Sequence, residues 1–120
     1  MAYRNLEIGN RGAVRTITIN RPDKLNALNR DTLNELTLAF AQAAQDDVVR
    51  AVVLAGAGEK AFVAGADIAE MHGYTPAQAQ GFSRTGQRLM SAIERLGKPV
   101  IARVQGFALG GGMELAMACH

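Results

Sequence analysis

The 120 residues predict an α/β domain built around a parallel sheet. Two observations carry this expectation. Short apolar runs of strand length alternate with long stretches of helical periodicity, and that alternation implies crossover connections between parallel strands. Two small-residue turns, Ala64-Gly65-Ala66 and Gly110-Gly111-Gly112, each follow a strand-like run. That is the edge at which an open α/β sheet presents its ligands, so both turns are expected on one side of the sheet.

In chain order, Leu6–Ile8 and Ala13–Ile19 read as strands, and Gly9 to Gly12 between them as a hairpin turn. Asn20 to Lys24 is a loop. Asp31 is expected to cap a helix running to about Asp46, with Leu33, Leu36, Phe40 and Ala43 on its inner face. Ala51 to Ala55 is a continuous apolar run and predicts a buried strand. Gly56 to Gly65 is a loop interrupted by Ala61-Phe62-Val63, and a short helical turn follows over Asp67 to Met71. Pro76 to Leu96 predicts a second long helix with Phe82, Leu89, Met90, Ile93 and Leu96 inward, ended by Gly97-Lys98-Pro99. A last strand, Pro99 to Val104, and a last helix, Met113 to Cys119, complete the series. Met113 and Met117 are expected on that helix's inner face and Cys119 in the core. The chain stops at His120 on an apolar helical run without a Gly or Asn cap. The chain is therefore expected to be a fragment or truncation.

Composition narrows the function. Apolar residues make up 48% and charged residues 20%, a globular and not a disordered balance. A net charge of +2 gives no bulk attraction for nucleic acid. One cysteine excludes a disulfide framework and fits a reducing compartment. No apolar run reaches bilayer-spanning length, and the first residues have neither a signal h-region nor an amphipathic presequence. A cytoplasmic location is the expectation.

Several motifs fail on context. Gly56-Ala57-Gly58-Glu59-Lys60-Ala61 has dinucleotide-binding spacing after a strand, but Phe62-Val63 and Ala64-Gly65 interrupt where a long helix should open, and Thr75-Pro76-Ala77 stands where the acidic residue belongs. Gly106 to Gly111 has Walker-like glycines, yet Gly112-Met113 replaces the Lys-Ser/Thr pair. His72 and His120 have no ligand-spaced partners, so no metal is expected. Ser83 and Ser91 lack a His/Asp set and read as surface residues.

The two turns support a sharper reading. Backbone N–H groups bared at a helix start face the positive end of its dipole and suit an anion or a developing oxyanion. If the turns converge, two amides can hold one carbonyl oxygen as it gains charge, with Glu114 moving a proton on a neighbouring carbon. A bland reading accounts for the same residues: a tight helix entry at Gly110 to Gly112, an ordinary N-cap at Asp67, and Glu114 as a dipole partner. The residues alone leave both open.

Four stretches, in order and spanning nearly the whole chain, resemble the enoyl-CoA hydratase (crotonase) family. They are Ile19-Asn-Arg-Pro-Asp-Lys-Leu-Asn-Ala-Leu28, Ala61-Phe-Val-Ala-Gly-Ala-Asp-Ile-Ala-Glu-Met71, Lys98-Pro-Val-Ile-Ala-Arg-Val-Gln-Gly-Phe-Ala-Leu109 and Gly110-Gly-Gly-Met-Glu-Leu-Ala-Met-Ala-Cys119. The resemblance implies that residues 1–120 are the N-terminal part of a single crotonase-like domain, an α/β fold of repeated ββα units incomplete at the C-terminus, and that the substrate is an acyl-CoA thioester. It implies an oxyanion hole formed by the N–H groups of Ala66 and Gly111, with Glu114 as a catalytic glutamate. Lys24, Asn26, Ala27, Ala64, Gly65, Ala66, Asp67, Ile68, Gly110 and Gly111 are implied to line the acyl-CoA path, and Arg21, Lys24 and Lys60 are candidates for its phosphates. No cofactor is implied, because coenzyme A arrives as part of the substrate. The family's second catalytic glutamate is implied to lie past His120, as are the helices that complete the pocket and a homotrimer or dimer of trimers. The family commonly has Asp where His120 stands. The implied reaction is hydration of a trans-2-enoyl-CoA in β-oxidation or related acyl-CoA metabolism, with this chain inactive alone. The alternatives are an isomerase, lyase or hydrolase of the same fold, or a non-catalytic RNA-binding or scaffold member. For the last, only Arg84, Arg88 and Arg95 are suggestive, and they lack interleaved aromatics.

Overall fold

The computed structural model describes residues 2–120. Strands β1 (Leu6–Arg11) and β2 (Val14–Ile19) form an antiparallel hairpin. Helix α1 (Arg30–Gln45) crosses back to β3 (Ala51–Gly56), and a short strand β4 (Ala61–Val63) follows. Next come the single-turn helix α2 (Ile68–Met71) and the long α3 (Pro76–Glu94). Strand β5 (Val100–Arg103), strand β6 (Phe107–Ala108) and helix α4 (Gly111–Ala118) complete the fold. The main sheet has the order β1-β2-β3-β5, with β3 parallel to both its neighbours. The expected parallel architecture is therefore present. Strands β4 and β6 pair with each other as a second, two-stranded parallel sheet.

One face of the main sheet is dry. Ile17, Ile19, Val52, Leu54 and Val100 alternate along their strands onto this face, as a period of two requires. They meet Leu33, Leu36, Phe40 and Ala43 of α1 and Leu89 and Ile93 of α3, all buried. Phe82, Met90 and Leu96 pack at the margin of this core. Both predicted inner faces are thus present. Each large side chain buried here contributes roughly 1.5–3 kcal/mol of transfer free energy.

Local chemistry moves several boundaries. The hairpin loop is Gly12-Ala13, with Arg11 paired to Val14, and Gly9 and Asn10 belong to the strand. Gly12 supplies φ 60°, the conformation a two-residue hairpin demands. Asn29, not Asp31, caps α1: its extended backbone lets its side chain accept from the Thr32 amide at 2.8 Å. Asp31 sits exposed in the first turn. Helix α3 begins with a Thr75–Gln78 capping box and ends at Glu94, two residues short of the expected Leu96.

Helix α4 presents Gly112, Leu115 and Ala118 to the interior. Met113 and Met117 are 52% and 74% exposed, contrary to expectation, because the i, i+3 stripe set by Gly112 puts them on the opposite side. Cys119 packs against the core, as expected. It has left the helix for an extended conformation, and the His120 amide donates to the Val100 carbonyl at 2.8 Å. The His120 Nδ1 accepts from the Val100 amide at 3.0 Å, so the neutral ring carries its proton on Nε2, 3.0 Å from the Glu94 carbonyl oxygen. Among the described residues, no helix is long and apolar enough to cross a membrane.

Candidate active site

The β4–β6 pair brings the two turns together. Strand β4 runs into Ala64-Gly65-Ala66 and the N-terminus of α2, and β6 runs into Leu109-Gly110 and the N-terminus of α4. Because the strands are parallel and adjacent, both turns leave by the same edge. The Leu109 amide donates to the Val63 carbonyl at 3.2 Å, holding them side by side. Gly112 makes the approach possible: a β-carbon there would lie 1.9 Å from the Val63 oxygen. A β-carbon on Gly111 would sit 4.0 Å from the Ala66 nitrogen.

The direction of each amide follows from the bonds of its neighbours. The Gly65 carbonyl accepts from the Leu28 amide at 2.8 Å, and the Asp67 amide donates to the Leu28 carbonyl at 2.8 Å. In a trans peptide the C=O and N–H point opposite ways, so fixing the Gly65 oxygen toward Leu28 turns the Ala66 N–H away from it. The Gly110 carbonyl accepts from the Glu114 amide at 3.0 Å down the helix, so the Gly111 N–H points back out of the helix start. Neither amide donates to a backbone carbonyl among the described residues.

Ala66, Gly111 and Glu114 line one cavity of about 270 Å³. Its apolar wall comes from Leu28, Leu33, Met71, Phe82 and Met90, and Ser83 and Gln87 add polar groups. Ser83, expected at the surface, is exposed there and also faces this space. A larger, shallower depression of about 410 Å³ runs over Arg84, Arg88 and Arg95 on α3. It contains neither Ala66 and Gly111 nor Glu114. The cavity at the turns thus gathers an apolar wall, two residues whose amides have no backbone acceptor among the described residues, and the side chain of Glu114.

The other sequence-predicted residues divide. Ala64, Gly65 and Gly110 belong to the two turns, Lys24 is exposed, Ala27 is half-buried, and Ile68 is 79% exposed. Asn26 is 1% exposed, and its side chain is consumed inside the fold. Its Oδ1 accepts from the Arg21 amide, and its Nδ2 donates to the Ala57 and Ala61 carbonyls at 3.0 and 2.9 Å. It shapes the loop and offers no side-chain atom to a ligand. Arg21 is likewise spent: it donates to the Ala27 carbonyl and to Asp67 Oδ2, the latter at 3.1 Å. Asp67 caps α2 by accepting from the Glu70 amide. Burial works to raise its carboxyl pKa, but the Glu70 amide and the Arg21 guanidinium outweigh that and hold it below its ordinary value. Leu28, Leu33 and Met71 were absent from the sequence-derived set. Leu28 does stand in the first family-like stretch, but its pairing with Ala66 joins residues far apart in the chain and leaves no local pattern.

The enoyl-CoA hydratase/isomerase family model matches residues 9–120. The chain belongs to the enoyl-CoA hydratase/isomerase family. A short-chain-enoyl-CoA hydratase of Clostridium acetobutylicum is 49% identical over 119 residues, 99% of this chain and 46% of the relative. A crotonyl-CoA hydratase of Syntrophomonas wolfei is 46% identical over the same shares of the two chains. The crystal structure of an enoyl-CoA hydratase from Bacillus anthracis superposes with a TM-score of 0.94 at 38% identity, over 97% of this chain and 45% of that one. This is therefore the crotonase fold in part, and the chain spans a little under half the length of the family members it matches.

Proposed function

We propose that the protein carrying this chain is an enoyl-CoA hydratase acting on trans-2-enoyl-CoA thioesters, in β-oxidation or related acyl-CoA metabolism. The single observation that carries the reading is that Ala66 and Gly111, whose amides have no backbone acceptor among the described residues, line one cavity together with Glu114. In the reaction, a water oxygen bonds to C3 of the enoyl group and the double-bond electrons move onto the thioester oxygen. The Ala66 and Gly111 N–H groups stabilise that enolate oxygen, each worth roughly 3 kcal/mol in the transition state. The water surrenders one proton to carboxylate, C2 gains one, and a 3-hydroxyacyl-CoA results. Glu114 serves in this proton traffic with the second glutamate of the longer family members. Lys24, Ala27 and the residues from Ala64 to Ile68 border the path of the coenzyme A portion. No separate cofactor takes part. A cytoplasmic homotrimer or dimer of trimers is the assembly that goes with this reading.

Hydration is favoured over isomerisation by the names of the similar relatives, two of which are hydratases of short enoyl-CoA substrates. Loss of enoyl absorbance from crotonyl-CoA tests it. In a hybrid where this chain replaces the matching stretch of the Clostridium acetobutylicum hydratase, turnover should persist, and Glu114→Gln should lower kcat by roughly 10²- to 10⁴-fold. A hybrid that binds crotonyl-CoA but whose Glu114→Gln variant turns over normally would remove Glu114 from the chemistry. The 120-residue chain by itself should show no native-like turnover.

A further inference from the structure

We propose that the Arg21–Asp67 ion pair is a positioning clamp for the Ala66 amide, and that it takes no part in holding ligand phosphate. The inference rests on the reading of Ala66 as an oxyanion donor.

The bonds around Ala66 form a closed ring. The Arg21 guanidinium donates with one nitrogen to the Ala27 carbonyl and with the other to Asp67 Oδ2. The Ala27 carbonyl belongs to the same rigid peptide unit as the Leu28 N–H, which donates to Gly65 O. Gly65, Ala66 and Asp67 then close the circuit through the chain. Arg21 therefore grips the far end of the unit whose near end orients the Gly65–Ala66 peptide. The Asp67 amide returns a bond to Leu28 O on the other side of Ala66. In the stretch of chain that closes this circuit, the Gly65 and Ala66 amides donate to no backbone carbonyl among the described residues, and of the two residues it is Ala66 that lines the cavity with Gly111 and Glu114.

Two further features fit a clamp and argue against a ligand contact. The side chains of Arg21 and Asp67 are only 13% and 15% exposed, and both Asp67 oxygens are already engaged. The segment they hold is intrinsically reluctant: Leu25 and Asn26 both take left-handed backbone angles, φ 52° and 57°. Such a bend persists only where surrounding bonds over-determine it. A planar guanidinium with two forked donors suits this double grip, and an ammonium does not reproduce it.

Amide exchange in the ¹⁵N-labelled 120-residue chain, and ligand-induced shifts in the ¹⁵N-labelled hybrid with the Clostridium acetobutylicum hydratase, provide the test. In Arg21→Gln and Asp67→Asn, exchange at the amides of residues 28 and 67 should accelerate on the order of tenfold, the loss of one charge-assisted bond. Amides of β2 and β3 should keep their rates. Asp67→Asn preserves an N-cap side chain and so leaves α2 in place. Arg21→Lys should recover part of the protection. On adding crotonyl-CoA to the hybrid, the Ala66 cross-peak should move when Arg21 and Asp67 are both present and lose that response in the variants, while Gly111 keeps its own. In Arg21→Gln, affinity of the hybrid for coenzyme A without an acyl group should change less than twofold.

Unchanged exchange at residues 28 and 67 would overturn the clamp, and so would acceleration spread evenly over all amides. Weakened coenzyme A binding with the Ala66 response intact would make Arg21 a phosphate contact instead. If neither amide responds to crotonyl-CoA in the unsubstituted hybrid, the acyl-CoA reading fails, and the exchange pattern still decides whether the pair holds the ladder.

Discussion

Gly112 shows how much a single hydrogen atom can decide in this molecule. The strand end of β4 and the first turn of α4 touch where a side chain would stand, 1.9 Å from the Val63 carbonyl oxygen. Gly112→Ala must push the helix off the strand and separate the two turns. It should cost at least 2–3 kcal/mol, about the range of a strained core insertion, read from urea unfolding. Gly81 offers the internal contrast. It lies within α3, and a β-carbon there meets nothing within 4 Å. Gly81→Ala should stabilise by about 0.5–1 kcal/mol, because alanine loses less backbone entropy in a helix. A neutral Gly112→Ala would show that the β4–α4 contact is looser than its geometry implies. The triple glycine was legible in the sequence as a strand-to-helix turn. Which glycine carries the close approach was not, since the partner atom lies on a strand far away in the chain.

At the scale of elements, the loop between β2 and α1 matters more than its irregularity suggests. The long helices and the central strands were readable because their apolar spacing is local and strong. Its first half, Asn20 to Lys24, was readable as a loop, but the rest only as part of a family-like stretch, and its Asn26 was assigned to the ligand. In the folded chain the Asn26 amide group is a hub joining the Arg21 backbone to the carbonyls of Ala57 and Ala61. Asn also tolerates the left-handed backbone at φ 57° better than most residues. Asn26→Ala removes three bonds, leaves buried carbonyls without donors and strains the backbone. The expected loss is about 2–4 kcal/mol of stability, seen as a lower urea midpoint. Strands β4 and β6 were only half visible: Ala61 to Val63 appeared as an apolar interruption of a loop, and Phe107-Ala108 is too short to show a period. The helix face of Met113 and Met117 was misassigned for a related reason. In an almost wholly apolar helix, periodicity cannot choose the inner side, and the glycine contact with β4 does.

Across the whole molecule, charge and burial set a pH window. Asp67 and Asp46 both have carboxyl pKa values held below the ordinary range. For Asp46 the Val48 amide is the leading cause, aided by Arg15 against a desolvation penalty. For Asp67 the order reverses: burial is the largest influence and is overcome by the Glu70 amide and Arg21. A depressed carboxyl pKa means the unfolded chain binds more protons over the window between the two values. Stability from these groups is therefore complete above the unfolded pKa of about 4 and is lost as pH falls through the folded values. Cys119 works at the other limit. Burial pushes its thiol up to about 11, so the folded chain keeps the proton that the unfolded chain releases near 9.0. That contribution is complete below the unfolded value and disappears as pH rises toward the folded one. Tyr3 and Tyr74, also raised by burial, extend the same alkaline decline above their ordinary value of 10.0. Urea midpoints measured from pH 2 to pH 11 should trace a plateau with both shoulders. Cys119→Ala should flatten the part of the alkaline shoulder between pH 9 and 10 while the acid shoulder stays. Asp67→Asn should do the reverse, trimming the acid shoulder alone. A Cys119→Ala profile that superimposes on the parent across pH 9 to 10 would mean that the thiol is solvated in the folded chain and that α4 ends more loosely than its packing against the core indicates.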